Sequence, residues 1–102
     1  MKHAYCILAH GSPGILKVLI GLLDDPRNDI YLHLDAKVDV GAFRDLRPVR
    51  AGFAFVKERV NANWGAQSLV RAEMAALSAA AQGGRYAYCH LLSGVMKGRR
   101  ML

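Results

Sequence analysis

The stretch HAYCILAHGSPGILKVLIGLLDDPRNDIYLHLD, residues 3–35, decides the fold. Its two ends, HAYCILAH and IYLHLD, are nearly continuous apolar runs of the kind found in strands covered on both faces of a parallel sheet. Ser12 followed by Pro13 is typical of a helix start, and Pro26 ends the helix. The apolar positions between them recur at helical spacing: Ile15, Leu16, Leu19, Leu22 and Leu23. The stretch therefore predicts a βαβ unit with parallel strands.

The rest of the chain repeats this alternation. FAFVKE (residues 53–58) and YAYCHLLSG (residues 86–94) predict two more buried strands, and a short helical piece is expected near residues 42–46. Residues 65–84 predict a long helix, with Gly83 and Gly84 as its stop. Its expected buried stripe is Val70, Met74, Leu77 and Ala81. The order β-α-β-β-α-β predicts an α/β fold in three layers around a mainly parallel sheet.

The composition of the chain limits the classes of protein to which it can belong. The 102 residues suffice for one domain, with 53% hydrophobic and 22% charged residues. No apolar run reaches the roughly 20 residues that span a bilayer, and no signal-peptide pattern is present, so we expect a cytoplasmic chain. Half of the net charge of +6 lies in the last eight residues, VMKGRRML, which argues against a nucleic-acid-binding face. Cys6 and Cys89 are expected to be free, buried thiols.

The sequence contains no constellation typical of catalysis. There is no Ser-His-Asp set, no Cys-His set and no paired carboxylates, and GSPG is not a glycine-rich phosphate loop. The four histidines lack the spacing of metal ligands, so no metal is expected. His33 is interpreted as a packed strand histidine, and His3 and His90 as strand histidines without partners in the sequence.

Candidate binding residues follow the predicted strands. Ligands of parallel α/β sheets bind beyond the carboxyl ends of the strands. Asp35 ends the second strand, where a carboxylate can accept hydrogen bonds from a ribose or a base, and His10 ends the first. Trp64 lies among Arg59, Asn61, Asn63 and Gln67, between the third strand and the long helix. It either walls a pocket or staples the loop to the helix, and the residues alone leave both readings open.

Four blocks carry a resemblance to a known family: HAYCILAH, LLDDPRNDIYLHLDAK, NANWGAQSLVRAE and YAYCHLLSG. In this order and spacing they resemble the N-terminal part of the Core-2/I-branching glycosyltransferases, a family that includes β-1,6-N-acetylglucosaminyltransferases and peptide O-xylosyltransferases. The resemblance covers residues 2–94. It implies a truncated, Rossmann-like GT-A fold that binds a UDP-sugar and transfers GlcNAc or xylose with inversion to a hydroxyl of a glycan or protein acceptor. It implies no metal and no further cofactor.

The resemblance also implies site residues. Ala9, His10 and Asp35 would hold the uridine side of the donor. Trp64 and Ser68 would line the donor pocket, and Ser93 and Gly94 would meet the diphosphate and sugar. Some members of the family are associated with membranes.

The departure from the family pattern follows Gly94. The family continues LSG with an aspartate and a proline, whereas Met96 stands where the aspartate is expected, in a basic tail of residues 95–102. We therefore expect a donor-binding part in residues 1–94 of a chain shortened by a frameshift or a premature stop. The catalytic glutamate and the cations for the leaving group lie downstream in the family, so the fragment is expected to be inactive.

Two further expectations follow from a shortened chain. Sheet edges left uncovered favour self-association. The alternative function is a stand-alone nucleotide-binding or interaction module without transferase activity.

Overall fold

The computed structural model describes residues 2–9, 13–36, 38–60 and 66–92. Its four strands form one sheet in the order β3-β2-β1-β4, and every neighbouring pair is parallel. A short 3₁₀ helix, Val40–Phe43, lies between β2 and β3. The other elements are β1 (His3–Ala9), α1 (Pro13–Leu22), β2 (Asn28–Leu34), β3 (Gly52–Phe55), α2 (Ala66–Gly83) and β4 (Tyr88–Leu92). The predicted α/β class and the parallel sheet are confirmed.

The sheet separates two apolar cores. Ala4, Cys6 and Leu8 of β1 pack on the side of α2, whereas Ile7 and Ala9 pack on the side of α1 and the 3₁₀ helix. Right-handed connections explain this division. The chain moves from β1 to β2 to β3 in one direction across the sheet, and α2 then returns past β2 and β1 to β4, so it covers the opposite face.

The βαβ unit forms where the apolar runs predict it. Residues 30–34 of β2 are all buried, as expected for a strand covered on both faces. Helix α1 begins at Pro13 and ends at Leu22, before Pro26. It buries Leu16 and Ile20, while Ile15 and Leu22 of the expected stripe are exposed. Only the side of α1 that faces the sheet is buried, and Ile15 and Leu22 lie outside that side.

The predicted stripe of α2 is wrong. Val70 and Met74 are 52% and 57% exposed, and Ala81 is also exposed; only Leu77 packs partly against the core. The buried face consists instead of small residues, Ala72, Ala75, Ala76 and Ala80. Alanine brings the helix close enough for the backbone carbonyl of Ala76 to lie 3.6 Å from the thiol of Cys6, which donates to it. The small volume of alanine lets the helix lie close to the sheet. This close packing, rather than the hydrophobicity of each residue, decides which face of α2 is buried.

Strand β4 begins at Tyr88, two residues later than its apolar sequence predicts, and it is more exposed than expected. Tyr88, Cys89 and Leu91 are exposed, and His90 and Leu92 are only half-buried, because β4 is the last strand of the described sheet. Cys6 is buried, as expected, but Cys89 is exposed, and both are free thiols. The expectation of two buried thiols is thus wrong for Cys89.

A membrane-spanning helix is not found in the described ranges: neither α1 nor α2 combines the required length and apolarity.

Candidate functional site

The carboxyl ends of β1 and β2 meet at Ala9 and Asp35. Ala9 pairs with Leu34 across the sheet, and the next peptide N–H, that of Asp35, donates to the Ala9 carbonyl at 3.0 Å. The Asp35 carbonyl accepts the N–H of Val38 at 2.9 Å, which closes a turn directly after the strand. Asp35 is 2% exposed, so its carboxylate is held in a defined position at this edge of the sheet.

Arg59 organises the loop beyond β2. Its guanidinium donates to the carbonyl oxygens of Leu34 (3.3 Å) and Asp35 (2.8 Å), and also to that of Val38. One side chain therefore binds three backbone carbonyls at and after the end of β2. The sequence places Arg59 in a polar cluster around Trp64; in the structure its side chain binds the backbone of the turn after β2.

His33 is the packed strand histidine that the sequence predicts. It is 2% exposed, and its Nε2 accepts the backbone N–H of Val60 at 2.9 Å. Burial lowers the pKa of this imidazole, because a charged ring would be poorly solvated there. A neutral His33 ties the segment after β3 to β2, next to Asp35. A second link, from the Ala36 N–H to the Val60 carbonyl at 3.2 Å, strengthens the same junction.

The remaining predicted site residues divide into two groups. Ser68 lies in the first turn of α2 and is half-buried. Because α2 follows β3, its N-terminal turn lies toward the carboxyl edge of the sheet, the edge that also carries Ala9 and Asp35. Gln67 is exposed. Six other positions of the predicted site and its surroundings lie outside the described residues, namely His10, Asn61, Asn63, Trp64, Ser93 and Gly94.

The opposite, amino edge of the sheet holds a polar network that the sequence did not reveal. Asp29 accepts Lys2 Nζ at 2.9 Å and the Tyr86 hydroxyl at 2.7 Å, and the Tyr86 and Tyr31 hydroxyls lie 2.7 Å apart. Partial burial acts to raise the pKa of Asp29, but the hydrogen bonds from Tyr86 and Lys2 outweigh it and the pKa is lowered. Burial and the two partners raise the pKa of Tyr86, so its hydroxyl stays protonated and donates.

A second carboxylate fastens the segment that leads into β3. The Asp24 carboxylate accepts the backbone N–H groups of Val49, Arg50 and Ala51 at 2.7, 2.6 and 2.8 Å. These bonds, that of Val49 foremost, lower the pKa of Asp24. The sequence placed Asp24 in a helix stop and contained no sign of this long-range role, because its partners lie 25 to 27 residues away.

His3 and His90, for which the sequence shows no partner, are partners of each other in the structure. His3 Nδ1 lies 2.9 Å from His90 Nε2. Tyr5 stacks on His90 with ring centroids 4.5 Å apart, and Tyr88 lies 5.1 Å from the His3 ring. The pairing of β1 with β4 produces this group, since Tyr5 stands opposite His90 and His3 opposite Tyr88.

Metal-ligand clusters of the usual size are not found in the part of the chain that the structure describes, where no group of three or more His, Cys, Asp or Glu could hold an ion.

Comparison with known proteins returned no match: no family model, no curated protein and no solved structure matches the chain.

Proposed function

We propose that the chain is the donor-binding part of a UDP-sugar-dependent glycosyltransferase of the Core-2/I-branching type, with a Rossmann-like GT-A arrangement. The sheet order supports the arrangement, because β3-β2-β1-β4 is the order of the first four strands of dinucleotide-binding folds. In such sheets the ligand crevice opens where the chain direction across the sheet reverses, here between the carboxyl ends of β1 and β4. Residues 9–10 and 93–94 flank that crevice in sequence.

The observation that carries the proposal is the position of Asp35. It follows β2 directly and is hydrogen-bonded through its backbone to Ala9, the last residue of β1. An acidic side chain just beyond the second strand accepts ribose hydroxyls in dinucleotide folds. We assign Asp35 the same task toward the uridine of the donor. Arg59 and His33 do not touch the donor in this scheme; they hold the backbone on either side of Asp35.

The other site residues take the roles that the family resemblance implies. Ala9 and His10 border the uridine, Trp64 and Ser68 wall the pocket, and Ser93 and Gly94 meet the diphosphate and sugar. No catalytic base is assigned, so the chain binds the donor without transferring its sugar. The donor requires no metal or further cofactor in this scheme.

Donor binding can be measured through Trp64, the only tryptophan of the chain. Titration with UDP and UDP-GlcNAc should change its fluorescence, with saturation at or below millimolar ligand. In Asp35→Asn the loss of a charge-assisted hydrogen bond, worth about 1.5–3 kcal/mol, should weaken binding roughly tenfold or more. Asp45→Asn, at an exposed position away from the strand ends, is the matched control and should bind like the parent chain.

Two results would contradict the proposal. One is a folded sample, verified by circular dichroism, that shows no response to millimolar UDP or UDP-GlcNAc. The other is equal binding of UMP and AMP with no contribution from diphosphate or sugar, which would favour the stand-alone nucleotide-binding module. Release of free UDP in the presence of sugar acceptors would overturn the assignment of an inactive fragment.

A further inference from the structure

We propose that His3 and His90 form a two-histidine binding site for a divalent transition-metal ion, Cu²⁺ or Ni²⁺. The site lies on the α1 side of the sheet, toward the amino ends of β1 and β4, and is separate from the proposed donor crevice at the carboxyl ends. It does not depend on the glycosyltransferase proposal. The two residues are 87 positions apart, so only the pairing of β1 with β4 brings them together.

The relative orientation of the two rings places one nitrogen of each ring opposite the other. The ring planes are parallel within 2°. Stacked rings keep their atoms about 3.5–4.0 Å apart, so an N–N distance of 2.9 Å means that the imidazoles meet edge to edge. A neutral imidazole has one donor and one acceptor nitrogen, so a single proton occupies the gap between His3 Nδ1 and His90 Nε2. When a metal ion binds, this proton moves through solvent to the other nitrogen of the same ring, and both facing nitrogens then offer a lone pair to the ion.

The distance suits a particular coordination geometry. Bonds from a metal ion to imidazole nitrogen measure about 2.0–2.1 Å, so two nitrogens bound at a right angle lie about 2.9 Å apart. Right angles between neighbouring ligands belong to square-planar and tetragonal sites, which Cu²⁺ and Ni²⁺ prefer, whereas tetrahedral Zn²⁺ needs a wider separation. Turning each ring by roughly 45° aims its lone pair at such an ion. His3 and His90 are half-buried and can turn.

The surroundings leave room for the other ligands of the ion. Tyr5 covers one face of His90 by stacking, so the ion approaches from the other side. A cavity of about 600 Å³ opens beside His3 and is also lined by Tyr5, Asp25 and Asn28. Water molecules in this space complete the coordination. Asp25 accepts two bonds from the guanidinium of Arg27, which lines the same cavity and holds the pKa of this carboxyl at about 2, so the pair adds no net charge to the cavity wall.

Calorimetric titration of the full chain with CuCl₂ or NiCl₂ tests the site. We expect one ion per chain, at least tenfold weaker binding in His3→Gln and in His90→Gln, and no binding at this site in the double variant. His10→Gln, which removes a different imidazole, is the control and should change the affinity less than twofold. Zn²⁺ should bind more weakly than Cu²⁺.

A second measurement needs no variant. In the parent chain, substoichiometric Cu²⁺ should broaden the NMR signals of His3, His90, Tyr5 and Tyr88 first, since a paramagnetic ion acts on the nearest nuclei. Broadening that begins at His10 or His33 instead would overturn the proposal. So would unchanged affinity in the double variant, because the pair would then serve only as a hydrogen bond between strands.

Discussion

Gly83, the last residue of α2, lies against the hydroxyl of Tyr31. A Cβ added at Gly83 would lie 1.9 Å from Tyr31 Oη and 2.9 Å from its Cζ. The Tyr31 ring is 9% exposed, its hydroxyl is hydrogen-bonded to Tyr86, and the Tyr86 ring packs against its edge, so any shift of the ring disturbs these contacts. Gly83→Ala therefore forces either the tyrosine or the end of the helix to move.

The expected cost of Gly83→Ala can be worked out from these contacts. Overpacking of this kind costs about 1–3 kcal/mol, and loss of the Tyr31–Tyr86 hydrogen bond adds about 1 kcal/mol. The better helix propensity of alanine returns at most about 1 kcal/mol, and less at a helix end. We expect a net loss of about 1–3 kcal/mol in the free energy of unfolding. For a chain of this length that lowers the melting midpoint by about 4–8 °C per kcal/mol.

Urea denaturation followed by far-UV circular dichroism measures this loss. The neighbouring glycine supplies the control: a Cβ at Gly84 would lie 3.5 Å from Tyr86 Oη, an ordinary contact, so Gly84→Ala should stay within about 0.5 kcal/mol of the parent chain. Adding Tyr31→Phe to Gly83→Ala should recover part of the loss, since it removes the nearest atom. The reasoning is refuted if Gly83→Ala is as stable as Gly84→Ala.

Three further predictions concern single residues. Gly21→Ala in α1, where no atom lies within 4 Å of the added Cβ, should raise the free energy of unfolding by about 0.5–1 kcal/mol in the same urea assay. Iodoacetamide should modify one cysteine of the folded chain, Cys89, and the second only in denaturant, because burial and the nearby Cys89 raise the pKa of Cys6 to about 11; mass spectrometry that finds Cys6 modified first contradicts this. The lowered pKa of His33 means that the unfolded chain binds more protons, so stability is full above about pH 6.5 and falls as the pH drops below it. His33→Gln should flatten that part of a midpoint-against-pH curve, and an equally steep curve would exclude His33 as the cause.

The local pattern of the sequence was sufficient for most of the fold. Strands β1 and β2 were predicted correctly because both of their faces are apolar. Helix α1 was predicted correctly because Pro13 favours a helix start and Pro26 prevents the helix from continuing. The sequence did not predict correctly which face of α2 is buried. Val70 and Met74 are the more hydrophobic residues, but the close approach of helix and sheet selects Ala76 and Ala80 for the interface.

The candidate site was predictable only in part. Asp35 was found because the carboxyl end of a parallel strand is a general place for ligands. Arg59, which binds the Asp35 carbonyl, was not predicted in this role, because the sequence does not distinguish an arginine that binds backbone carbonyls from one that lines a pocket. Whether Cys89 and Tyr88 are buried also could not be decided, since an apolar strand is covered in the middle of a sheet and exposed at its last position.

The sequence by itself determined the order of helices and strands and the parallel character of the sheet. Both depend on the local periodicity of apolar residues and on the glycine and proline residues that end each element. Only the tertiary structure decided which side chains meet. The contact of His3 with His90, the three bonds of Arg59 and the approach of Gly83 to Tyr31 join residues 21 to 87 positions apart. Such contacts follow from the strand order and from which face each helix covers, and no local pattern of residues encodes those choices.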